Sequence, residues 1–172
     1  MPDLNLILER MGSARAALLS AADRVPSGRW QEQLAFGGWS TAELIAHLIQ
    51  VECAITTKAA ELVERHPMPV PVWRRLHLPL WMIESRLVRR KTPIPLEAGL
   101  VADKEETLAR LREARRGTLG FIQEVSGRDL SPYRYPHPFV GSLNLYDWLR
   151  VIAHHEVRHT KQIREIVNSF HE

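Results

Sequence analysis

Apolar residues recur three and four positions apart along four long stretches of this chain, the spacing of helices that bury one face. Leu4, Ile7, Met11, Ala14, Leu18 and Val25 form the first stripe, and Pro26-Ser27-Gly28 closes it near Arg24. The second helix opens in "GGWSTAEL", where Ser40 and Glu43 have the spacing of a capping box, and it should run to about Arg65, before Pro67. Asp103 and Glu106 repeat that spacing ahead of a third helix reaching about Val125, although Gly117 and Gly120 weaken it. The fourth begins near Asn144 or Leu145 and continues to the C-terminus. No alternating strand pattern, internal repeat or low-complexity tract interrupts this reading.

Prolines 67, 69, 71, 79, 93 and 95 crowd the stretch between the second and third helices. Proline removes a backbone donor and clashes with the preceding turn, so this stretch cannot be one bundle helix. It reads as a long crossover with one short helix around Trp81 to Arg90. The expected architecture is therefore all-α: a four-helix bundle with a long proline-rich crossover between helices two and three, forming one domain over residues 1–172.

The fourth helix departs from a simple apolar stripe. At 100° per residue, with His155 at zero, Trp148 falls at about 20°, His159 at about 40°, Ile152 at about 60° and Ile163 at about 80°. His155 and His159 thus share the inward face, whereas His154 points toward Arg150, Arg158 and Lys161 and should be exposed. On the second helix, with His47 at zero, Val51 lies at about 40°, Leu44 at about 60° and Ile55 at about 80°. His47 sits at the edge of that stripe, so three histidines on two helices can converge if the helices are neighbours. Histidines at i and i+4 can reach one ion, and a third from a facing helix would leave positions open for water or substrate. Gln162, about 20° from His155 on the wheel, could then act behind the ligands. Core histidines bonded to carbonyls or carboxylates would produce the same spacing, so the pattern by itself leaves both readings open.

Composition narrows the field modestly. With 45% hydrophobic and 25% charged residues the chain is ordinary for a globular domain, and no apolar run approaches the roughly 20 residues that span a bilayer. The first residues lack the long apolar core of a secretory signal, and the lone Cys53 fits a reducing compartment, so a cytoplasmic location is expected. Cys53 falls near 240° from His47 on the wheel, away from the ligand face, and reads as a packing or surface thiol. The net charge of +3 is concentrated: arginines 74, 75, 86, 89 and 90 with Lys91 face one acid, Glu84, between residues 72 and 91. No tyrosine or phenylalanine interleaves with these arginines and no recognisable nucleic-acid motif accompanies them, so nucleic-acid binding is not expected. Trp39 and Trp148 read as core or bundle-end residues, Asp147 as favouring the dipole of the fourth helix, and His137 in "YPHPF" as a surface loop residue.

Two stretches, "WSTAELIAHLIQVE" (residues 39–52) and "FVGSLNLYDWLRVIAHHEVRHTKQI" (residues 139–163), resemble the DinB-like superfamily of bacterial four-helix-bundle proteins. They are similar to its W-S-x-x-E-x-x-x-H-L pattern in helix two and to its closing H-x-x-x-H-x-x-Q-I signature. The resemblance implies that His47, His155 and His159 hold a divalent metal, zinc or nickel above others. It further implies a small-molecule substrate, a homodimer, and a metal-dependent S-transferase or related hydrolase using a low-molecular-weight thiol such as bacillithiol or mycothiol as cosubstrate. The other expectation is a non-catalytic, stress-related bundle protein whose metal site is structural or empty.

Overall fold

The computed structural model describes residues 3–33, 38–67, 77–84, 96 and 99–170. Helix α1 spans Leu4–Asp23, α2 Thr41–Val63, α3 Trp81–Glu84, α4 Lys104–Glu124 and α5 Leu145–Ser169, and two short strands, β1 (Arg134–His137) and β2 (Gly141–Asn144), precede α5. The four long helices are the bundle that the periodicity predicts. Their starts are set by side-chain caps that satisfy amides the helix itself leaves orphaned. Asp3 caps α1, and Ser40 with Glu43 closes a full capping box on α2 at 2.7 and 3.2 Å. Asp103 accepts the Glu106 amide, but the Glu106 carboxylate is taken by Arg110, so only half of the second predicted box forms. Asn144 accepts the Asp147 amide at the start of α5. Helix α4 runs unbroken through Gly117 and Gly120, where a Cβ would meet no neighbouring atom within 4 Å.

The β-hairpin corrects the expectation of a strand-free chain. Arg134 pairs with Asn144 and His137 with Gly141, the strands being joined by Pro138, Phe139 and Val140. Gly141 adopts φ +100°, a conformation that side chains with a Cβ rarely take and that suits a three-residue hairpin connection. The strands have four residues each and Pro136 lies in one of them, too short and too irregular for an alternating signature. His77 bridges to Gly141 and the Leu78 amide donates to the Val140 carbonyl at 2.8 Å, so the segment before α3 docks on this hairpin. Of the expected short helix only Trp81–Glu84 falls among the described residues. Most of the proline-rich crossover lies outside them, as do Arg74, Arg75, Arg86, Arg89, Arg90 and Lys91 of the basic segment.

Helix α1 packs along α5 and α2 along α4, with α2 also against α5. The apolar core is in two parts. One gathers Ile7, Met11, Ile55, Phe121, Leu143 and Ile152, and the other Leu18, Leu44, Ile45, Leu111, Ile163 and Ile166. Between them lie four buried charged side chains, one from each long helix: Arg15, Glu52, Arg115 and Glu156. No helix of the described residues is long and apolar enough to cross a membrane.

Candidate metal centre

The α2–α5 contact carries the three histidines singled out by the wheel. His47 is buried on α2, and His155 and His159 stand one turn apart on α5, His159 buried and His155 partly open. The Nε2 atoms of His47 and His155 are 3.3 Å apart and those of His159 and His155 3.0 Å, and the nitrogens of all three gather within 4.8 Å. Two imidazole nitrogens bound to one zinc-sized ion at their usual bond lengths stand about 3.0–3.4 Å apart. The Trp39 ring meets His47 edge-on, its centroid 5.0 Å away, and so walls the cluster at the start of α2.

The protonation chemistry points the same way. A ring nitrogen has either one proton or one lone pair, so it makes one in-plane hydrogen bond. His155 Nε2 faces two other Nε2 atoms at hydrogen-bond distance, and hydrogen bonding between the rings can satisfy only one of these contacts. A single cation would accept all three lone pairs. Burial pushes the His47 imidazole down to about 4, and burial followed by the fields of His159, His47, Arg158 and His137 holds His155 well below the usual histidine range. Both rings are therefore neutral at physiological pH, the form that binds metals. The residues present suit a divalent ion.

The remaining candidates fall in different places. Gln162 is half-buried on α5, and its Oε1 is shielded from solvent without a hydrogen-bond partner among the described residues. His154 is not the exposed residue expected from the wheel: its Nδ1 meets Glu84 Oε1 at 2.6 Å, tying α5 to α3, and Lys161 lies 3.8 Å from the same carboxylate. His137 lies on β1 rather than in a loop, with its ring 5.1 Å from Trp148, which in turn stacks on Tyr135 at 4.1 Å. Through its contact with Trp148, which shares the face of α5 that carries His155, His137 brings the hairpin to the histidine side of that helix. Asp147 does more than favour the helix dipole. It is buried, accepts Arg150 at 2.7 Å and lies 3.5 Å from His77. Cys53 is exposed and stands apart from the cluster.

Sequence reasoning passed over the charged layer beside the histidines, yet a signal for it exists. Arg15 follows Met11 by four residues and precedes Leu18 by three, so it occupies a core position of the α1 stripe. Glu52 stands in the same relation to Leu48 and Ile55, Arg115 to Leu111 and Thr118, and Glu156 to Ile152 and His159. A charge at a stripe position on each of the four long helices, two of each sign, marks a buried network and not a solvated face.

Comparison with known proteins bears on the family and the fold. A family model described as the DinB superfamily matches residues 10–163. YuaE, an uncharacterised protein of Bacillus subtilis (strain 168), is 26% identical over 129 residues, which cover 74% of this chain and 76% of that protein. Among solved structures, TT2238, described as a four-helix bundle protein, superposes with a TM-score of 0.60 at 24% identity, over 93% of this chain and 96% of that one, and this likeness bears on the fold alone.

Proposed function

The chain belongs to the DinB superfamily, and from that membership and the converging imidazoles we propose that it is a divalent-metal-dependent enzyme acting on a small molecule. His47, His155 and His159 would hold zinc or nickel through Nε2, with Gln162 behind them. The observation that carries this reading is His155 Nε2, which faces two ring nitrogens although it can make one hydrogen bond. Three neutral ligands leave positions for water or substrate, and a divalent ion bound in this way favours the thiolate form of a thiol near neutral pH. The reaction we favour is S-transfer from a low-molecular-weight thiol, or a related hydrolysis, in a homodimeric cytoplasmic protein.

The chain's own residues divide the remaining work. His47 and His159 are buried, so a substrate approaches on the partly open side of His155. Trp39, edge-on to His47, supplies an apolar wall beside the cluster. The test is conjugation of a model electrophile with bacillithiol, mycothiol or glutathione by zinc- and nickel-loaded protein. Turnover that disappears in His155→Ala supports transfer, and no turnover with any of the three thiols counts against it.

A non-catalytic bundle with a structural ion is the second reading, favoured by the deep burial of His47 and His159. It predicts an ion that raises the melting temperature yet exchanges no water ligand for added thiol. Visible spectra of the cobalt-substituted protein, recorded with and without thiol, separate the two.

A further inference from the structure

The buried charged layer links all four helices through directional bonds. From α1, Arg15 donates to Glu156 of α5 at 2.6 Å, to Glu52 of α2 at 2.7 Å and to the Leu111 carbonyl of α4 at 2.7 Å. From α4, Arg115 donates to Glu52 at 2.7 Å, to Glu156 at 3.1 Å and to the Met11 carbonyl of α1 at 3.0 Å. Each guanidinium therefore touches the three helices other than its own. Thr118 adds a bond to Glu52 at 2.9 Å.

The two carboxylates stand on the two helices that carry the histidines. Glu52 follows His47 by five residues, about 7.5 Å along α2, and Glu156 is next to His155. Apolar side chains tolerate a small slide of one helix along another, whereas fixed donors and acceptors at 2.6–3.1 Å do not. A one-residue slip of α2 against α5 moves it by about 1.5 Å, enough to break these bonds and to carry His47 Nε2 out of a shared coordination sphere. The apolar clusters lie on either side of the layer.

We propose that Arg15, Glu52, Arg115 and Glu156 are positioning residues for the histidine site: the layer fixes the axial register in which His47 meets His155 and His159. This rests on the metal-site reading above but not on thiol transfer. It separates the layer's role from simple stability, because a buried ion network replaced in full by apolar residues of similar size often leaves a fold as stable as before.

The test uses the full-length chain and zinc alone, with affinity measured by competition against a chromophoric chelator and folding followed by circular dichroism and thermal melting. In the combined variant Arg15→Met, Glu52→Leu, Arg115→Met, Glu156→Leu, the helical signal and cooperative melt are retained. Its zinc affinity falls by roughly tenfold or more, and its cobalt-substituted form shows an altered visible spectrum. Wild-type affinity and spectrum in that folded variant would overturn the proposal. Should the variant not fold, Thr118→Val, which removes the bond to Glu52 together with the hydroxyl's contacts to Thr56 and the Ala114 carbonyl but no charge, is compared with Leu130→Ala, a buried change in the first apolar cluster. Weaker zinc binding in Thr118→Val but not in Leu130→Ala sustains the register role, and equal binding in both refutes it. A wild type that takes up no zinc removes the metal site itself and the positioning role with it. A wild type that binds zinc without turning over a thiol leaves the positioning role standing.

Discussion

Two buried polar groups share the α2–α5 contact, and they are completed in opposite ways. In the charged layer Arg15 and Arg115 each use three nitrogens on three acceptors, so the protein satisfies its own donors. In the histidine cluster the rings face one another nitrogen to nitrogen, and His155 Nε2 has two neighbours for one bond. Burial has also acted differently. It lifts the Glu156 carboxyl above the ordinary glutamate value, against the pull of Arg15 and Arg115. In His47 and His155 it favours neutral rings with lone pairs to give. The layer balances two positive against two negative charges and leaves Glu156 Oε2 without a hydrogen-bond partner, whereas the cluster presents three imidazole nitrogens that could hold a metal ion.

The contrast breaks most severely if one member of the layer is removed. Glu156→Ala leaves two buried guanidiniums facing one carboxylate, and urea denaturation of the metal-free protein should register a loss of about 3–5 kcal/mol. The same experiment on His155→Ala should cost far less, because no charge is stranded.

Acid separates the two groups next. The His47 value is lowered from the ordinary 6.5 to about 4, so below 6.5 the unfolded chain takes up a proton that the native protein does not. Its contribution to metal-free stability is thus complete above about pH 6.5 and lost as the pH falls toward about 4, a total on the order of 3 kcal/mol. Urea midpoints between pH 7 and 4 should fall steeply in the wild type and more gently in His47→Gln.

Two smaller changes serve as controls outside both groups. Ser40→Ala removes half of the α2 capping box and should cost about 1 kcal/mol in thermal melts. Gly117→Ala, on an exposed stretch of α4 with open space around the new methyl, should gain up to about 1 kcal/mol. Neither should alter zinc affinity; a change in Gly117→Ala would mean that α4 influences the site through more than the layer.

The long helices were legible because their caps and stripes are local properties of the chain. Asp3, Ser40, Asp103 and Asn144 mark the starts to within a residue, and Pro26 and Pro67 lie beyond the ends of α1 and α2. The inward turn of His47, His155 and His159 was legible for the same reason, since a face follows from 100° per residue. The hairpin was not, because pairing Arg134 with Asn144 is a contact across a turn and four-residue strands are too short for a period. His154 was misplaced because its partner, Glu84, lies 70 residues away in sequence. The charged layer escaped for a related reason: each charge sits at a stripe position of its own helix, but the partners that make it a network lie on the other three.

Elemental mass spectrometry decides whether the three imidazoles form a ligand set for a divalent ion. Untagged protein, as purified and after reloading with zinc or nickel, is compared with a His155→Ala/His159→Ala double variant of confirmed helicity. About one ion per chain is expected in the wild type and none retained by the variant. A wild type that stays metal-free after reloading, or a double variant that holds its ion as well as the wild type, would contradict the metal site.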